Sequence, residues 1–286
     1  MINEAFFLDE IKEILETAFY TASLRDTIPI SMILVAESGT AKSKLILSIS
    51  ALPGVHKTDS FSSKGLFDLM AADVEKKIRF ITTPDLNPTL SRKASTVEAT
   101  VANLLSVTAD GTCRVDDARG EKVCKHGAIG LLSACTPSIY HGQAKKWFAL
   151  GLRRRIIPVF FTYRTSTLDA LMKLTRGGKI NGNDFQDTKL KVPIEKQMPL
   201  ISDNQMLEID LKSRDLAHNL GKLSIREDKI KKWVVQKVIP ISPFVTLQSM
   251  ARAHALRANR TAVNKTDIDF ISHFVEFTNP EEPRQI

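Results

Sequence analysis

Hydrophobic positions follow two rhythms along this chain. Over residues 1–20, Phe7, Ile11, Ile14, Leu15 and Ala18 recur at helical spacing with Glu and Lys between them, which predicts an amphipathic helix. Residues 30–35 form a short apolar run, the length of one buried strand. A polar turn and then Leu45, Ile46 and Ile49 at helical spacing follow, so the reading is strand, loop, helix. Residues 78–82, 129–134 and 156–161 are further strand candidates, with a weaker one near Val55. Residues 92–107 read as a helix with Val97, Val101, Leu104 and Leu105 on one face. Strands alternating with helices predict a mostly parallel sheet. Pro158 has no N–H to give to a ladder, so its strand is expected at a sheet edge.

The texture changes after residue 165. Gly177-Gly178, Asn181-Gly182-Asn183 and Pro193 punctuate a polar stretch, and a junction is expected there. Residues 203–279 read as helical. Leu247, Met250, Ala251, His254 and Ala255 make one stripe, on which His254 reads as a packed core histidine. Thr266-Asp267-Ile268-Asp269 resembles a capping box opening a last helix, and residues 279–286 are expected to fray. The expected organisation is an α/β unit over 1–165, a linker over 166–202 and a helical unit over 203–286.

Composition narrows the classes. With 43% hydrophobic and 25% charged residues among 286, the chain is of globular type, not disordered or fibrous. No apolar run reaches the roughly 18 residues of a membrane span. Glu4, Asp9 and Glu10 stand where a signal peptide carries positive charge. Cys113, Cys124 and Cys135 are too few for a disulfide scaffold and do not have zinc-ligand spacing; a cytoplasmic protein with reduced thiols is expected. The net charge of +8 admits a polyanionic partner without establishing one.

The richest chemistry lies in Ala36-Glu37-Ser38-Gly39-Thr40-Ala41-Lys42-Ser43, between a predicted strand and a predicted helix. In a phosphate loop, successive backbone N–H groups wrap the phosphates and the helix N-terminus adds a favourable dipole. Ser38, Gly39, Thr40, Ala41, Lys42 and Ser43 are the expected binding residues. Lys42 would reach the β- and γ-phosphates and Ser43 would offer an oxygen to Mg²⁺. Ala36 and Ala41 replace the two glycines of the usual pattern.

Gly39-Thr40-Ala41-Lys42-Ser43 resembles the loop of the minichromosome-maintenance (MCM) helicases and the MoxR-type ATPases, both of the AAA+ superfamily. The resemblance extends over about residues 25–275 through the order of later landmarks. It implies a P-loop NTPase fold, a parallel α/β sandwich with a C-terminal all-α lid, and the cofactors ATP and Mg²⁺. Asp85, after the strand at 78–83, falls where the Walker B Asp holds Mg²⁺, but Leu86 and Asn87 follow where the family has a Glu that polarises water. Residues 111–125 read as a β-hairpin. In MCM-like proteins a hairpin there touches DNA, and Arg119 and Lys122 are expected at its tip. Thr136 matches the sensor 1 position. Within Gly151-Leu152-Arg153-Arg154-Arg155, Arg155 matches an arginine finger acting on a neighbouring subunit, with Arg154 in reserve. Arg252 is the candidate lid arginine. The resemblance thus implies a homo-oligomeric ATPase acting on DNA as a translocase or replication-associated helicase. A MoxR-type protein-remodelling ATPase, or a slow nucleotide-gated assembly switch with a protein partner, is the alternative.

Overall fold

Five crossovers build one sheet, in a computed structural model that describes residues 8–117, 120–176, 190, 197–227 and 230–286. The helix predicted at the start is α1 (Asp9–Tyr20). The strands are β1 (Ser31–Val35), β2 (Val55–Lys57), β3 (Phe80–Thr83), β6 (Gly130–Cys135), β7 (Ile156–Thr162) and β10 (Arg284–Gln285). They pair in the order β10-β7-β1-β6-β3-β2, all parallel. Every residue of β1, β3 and β6 is buried, as a sheet covered on both faces requires.

Strand alternation divides the core in two. Met32, Leu34, Leu132 and Val159 face α1, α2 (Lys42–Ser50), α8 (Asp203–Gly221), α9 (Ile241–Arg257) and α10 (Lys265–Glu276). Ile33, Val35, Leu131 and Phe160 face α3 (Ser63–Ala72), α5 (Ala94–Ala109) and α6 (Pro137–Ala149). The short α4 (Asn87–Leu90) follows β3. The C-terminal helices therefore share the core of one sheet face and do not form a detached lid. At their junction with α1, the His254 ring stacks on Phe270 at 4.2 Å and its nitrogens meet Asp267 Oδ1 at 2.6 Å and Glu13 Oε1 at 3.3 Å. His254 is thus a hydrogen-bonded link to two carboxylates as well as a packed ring. The His254 hydrogen bond holds the Glu13 carboxyl at about 2, well below its ordinary value.

Several expectations need correction. The expected linker contains α7 (Thr165–Arg176), while 177–189 and 191–196 lie outside the described residues. The expected all-α segment contains an antiparallel hairpin, β8 (Lys222–Glu227) and β9 (Ile230–Val235). Its β-branched and aromatic residues (Ile225, Ile230, Trp233, Val234, Val235) favour strand over helix. The last helix is capped by Asn264, not Thr266: Asn264 accepts the Thr266 N–H, and Asp267 Oδ2 accepts the Asn264 N–H at 2.7 Å. The tail is tied down, since Ile286 N–H donates to Thr162 O at 3.0 Å and Arg164 N–H to Ile286 O at 2.9 Å. Pro158 lies in β7, which β10 borders only at Phe161 and Thr162. Phe160, of the same parity, sends its N–H away from β1 to Phe277 O, so the missing Pro158 N–H leaves the β1 ladder intact.

Candidate functional site

The connection after β1 runs to β2 at one edge, and the connection after β6 runs back through α6 to β7 on the other side. Their divergence opens a crevice at the carboxyl ends of the strands, the usual place for a ligand in such sheets. Here lies a cleft of about 420 Å³ lined by the loop from Ser38 to Lys44, by Pro84 and Asp85 after β3, and by Ala134, Cys135 and Thr136 at the end of β6. The sheet thus gathers the expected loop residues with Asp85 and Thr136.

The loop has the backbone of an anion nest. Gly39 (φ +84°) and Ala41 (φ +58°) are both left-handed, which turns neighbouring N–H groups to one side. Glycine adopts this without penalty at 39; alanine at 41 carries a cost of about 1 kcal/mol. The bond from Leu45 N–H to Ala41 O opens α2, whose N-terminal end faces the loop. Tyr163, buried at the end of β7, supports the loop from below by donating to Thr40 O at 3.4 Å.

Lys42 is buried, and its ammonium donates to Ala36 O and Glu37 O, each at 2.6 Å, and to Thr40 Oγ1 at 3.3 Å. It closes the loop on itself, and the cation lies among the loop's own oxygens. Burial pulls its pKa below the ordinary lysine value, against the opposing field of Asp85 and Glu37. Ser43 Oγ donates to Pro84 O at 3.2 Å, so the start of α2 touches the end of β3. Asp85 is exposed and accepts the Asn87 N–H at 2.9 Å. Among the described residues, no group of three or more His, Cys, Asp or Glu side chains is placed to hold a metal. A serine hydroxyl and one carboxylate beside a phosphate nest instead suit Mg²⁺, which keeps waters and takes ligands from substrate phosphates.

The residue after Asp85 is turned inward. Leu86 is buried and its N–H donates to Ala134 O at 2.9 Å, which locks the end of β3 against β6. Among the described residues lining the cleft, the one carboxylate is Asp85. Thr136 is half-buried and shares a hydrogen bond with Ser138 Oγ at 3.1 Å. Burial pushes the Cys135 thiol up to about 12, so it is neutral and no nucleophile at physiological pH.

Arg155 lies at the other end of the sheet. Register pairs Ile156 with Ser31 and Phe160 with Val35, so roughly 20 Å of strand separates Arg155 from the loop that begins at Ala36. Arg154, Arg155 and Arg252 line a second cleft of about 590 Å³ with Asp26, Ile28 and Val245. Arg155 Nη1 donates to Leu105 O at 2.9 Å and Arg252 Nε to Pro199 O at 3.1 Å. Arg153 differs from its neighbours: it is fully buried, lies 5.5 Å from the Tyr140 ring centroid and donates to Lys222 O at 2.6 Å.

Of the expected DNA-contact residues, Arg119 lies outside the described residues. Lys122 is exposed, but it stands on β5 (Gly120–Lys125) opposite Val115 of β4 (Thr112–Asp117), the third pair from the turn and not at the tip. The supports missed in the sequence, Tyr163 and the inward Leu86, have no local signal. The β8–β9 hairpin had one, in alternating Leu223-Ser224-Ile225-Arg226 followed by the polar sequence Glu227-Asp228-Lys229. No helix among the described residues is long and apolar enough to cross a membrane. No protein-family model matches the chain, and no curated protein matches it.

Proposed function

We propose that this chain is a P-loop ATPase of AAA+ type that binds ATP with Mg²⁺, assembles as a homo-oligomer and acts on nucleic acid. The observation that carries the reading is the left-handed loop at Gly39 and Ala41 with Lys42 drawn beneath it and Asp85 facing it across the cleft. The loop amides and the α2 N-terminus bind the phosphates, and Lys42 exchanges its two carbonyls for phosphate oxygens. Ser43 and Asp85 hold Mg²⁺, which when bound neutralises phosphate charge. Thr136 orients the attacking water by its hydroxyl. Arg155, too far from its own loop, serves a neighbour's phosphates from the second cleft, where Arg154 and Arg252 reinforce the positive field.

The inward Leu86 favours one second reading, slow turnover in a nucleotide-gated switch, including the MoxR-type remodelling of a protein partner. Steady-state ATP hydrolysis, with and without single-stranded DNA and with Lys42→Ala as background, decides. DNA-raised turnover above that background supports the motor. Turnover equal to background with intact ATP binding supports the switch. ATP affinity unchanged in Lys42→Ala would refute the nucleotide site itself.

A further inference from the structure

The β8–β9 hairpin carries a charge that the phosphate site does not use. Residues 222–237 contain Lys222, Arg226, Lys229, Lys231, Lys232 and Lys237 against Glu227 and Asp228, a net charge of +4 in a chain of +8. We infer that this hairpin is a nucleic-acid contact element that grips the phosphate backbone. The inference rests on the nucleic-acid part of the proposed function and is independent of ATP hydrolysis.

Its architecture is a fixed base and a charged outer half. At the base Leu223 is buried, Arg153 Nη1 donates to Lys222 O, and Gln236 N–H donates to Gly221 O at 2.9 Å. Gly221 is needed there because a Cβ would collide with Gln236 O. Lys222 is neutralised by Glu281 at 3.1 Å and belongs to the anchor. Beyond the anchor, register places Lys232 opposite Ile225 and Lys231 opposite Arg226. Lys232 and, just past the strand, Lys237 are exposed.

The distribution of apolar residues selects the partner. Val234 and Val235, 40% and 48% exposed, sit at the base, opposite Leu223 and Lys222. A membrane-inserting ribbon needs an uninterrupted apolar tip, whereas here Arg226, Glu227, Asp228 and Lys229 stand between Ile225 and Ile230, and Lys231 and Lys232 follow. Two six-residue strands make a ribbon about 20 Å long, and a two-stranded ribbon fits the 12 Å major groove. The same row of cations can follow a single strand. The shared chemistry is a phosphate backbone read without regard to sequence.

The test is fluorescence anisotropy of the full chain with a labelled 30-nucleotide strand and, separately, a 30-base-pair duplex across a salt series. Lys231→Gln/Lys232→Gln/Lys237→Gln is expected to weaken binding at least about tenfold at low salt. The slope of log affinity on log salt should fall by about 2 for the single strand and nearer 3 for the duplex. The probe with the larger loss identifies the form gripped. Arginine at the same three positions should restore binding, and Lys237→Gln alone should lower the slope by just under 1, which keeps the test valid if the triple variant misfolds. Wild-type affinity and slope in a folded triple Gln variant would overturn the inference. So would equal affinity for poly-glutamate, which would make the hairpin an acidic-peptide site. Failure of wild type to bind either probe while still binding ATP would overturn both this inference and the nucleic-acid part of the proposed function, leaving the nucleotide site standing.

Discussion

Two hairpins rest on the same helical layer, and they differ in what holds them and what they offer. The β4–β5 hairpin, legible in the sequence, is nearly charge-balanced: residues 112–125 contain Arg114, Arg119, Lys122 and Lys125 against Asp116, Asp117 and Glu121 in number, and Arg114 pairs with Glu121 at 3.2 Å. The β8–β9 hairpin, read from sequence as helix, carries +3 over residues 222–235, and Lys237 just past it makes +4. The first is seated by buried Cys113, by Asn103 bonded to both the N–H and the carbonyl of Arg114, and by the His126–Asp73 contact at 2.8 Å just past β5. The second is seated by Leu223 and the Arg153 guanidinium. The lesson is that a family resemblance locates a hairpin by its place in the chain, whereas polyanion binding depends on net field, and the two point to different elements.

The largest effect expected concerns the seat of the second hairpin. Leu223→Ala removes a buried side chain and should cost about 3 kcal/mol in urea unfolding, while Val234→Ala on the same strand pair, being exposed, should stay within about 0.5 kcal/mol. Equal costs would mean that the hairpin is not docked as described. Next, Lys42→Ala should weaken ATP binding by about 100-fold, the scale of losing charge-assisted hydrogen bonds, measured by calorimetry. It should leave nucleic-acid affinity of the nucleotide-free protein unchanged, separating the loop from both hairpins. Smaller still, Lys122→Gln on the balanced hairpin should change nucleic-acid affinity by less than about threefold, close to one phosphate contact. A loss matching the β8–β9 triple variant would restore the first hairpin as the main contact.

The subtlest contrast is in acid. Burial alone would raise the Asp73 pKa, but the Ile78 N–H, the His126 ring and the Lys77 N–H outweigh it, and the carboxyl titrates below its ordinary value. A depressed carboxyl contributes stability above its unfolded pKa of about 4 and loses it as pH falls through the folded value. Amide exchange in β4–β5 should therefore accelerate, relative to β8–β9, as pH drops below about 4, because the second hairpin is seated largely by the buried, uncharged Leu223 side chain. Parallel acceleration of both hairpins would show that Asp73 does not govern the first.

What the sequence by itself determined is local. Apolar runs of strand length, the turn chemistry of residues 36–43 and the helical stripes place β1, β3, β6, β7, α1, α2 and α5 within a few residues, because period and capping are written in neighbouring positions. The loop was legible for the same reason: a nest is built from consecutive amides, so eight residues specify it. The tertiary structure alone decided what depends on distant partners. Ser31 accepts the Leu131 N–H from 100 residues away, and that pairing brings Thr136 to the loop. The register of β7 on β1 sends Arg155 to the far end of the sheet. The contact of Leu86 with Ala134 turns inward the position where the family resemblance implies a second carboxylate. Three consecutive arginines look alike in the chain, yet Arg153 is buried under the second hairpin while Arg154 and Arg155 are exposed. That difference arises because burial is set by what packs on a residue, not by its neighbours in sequence.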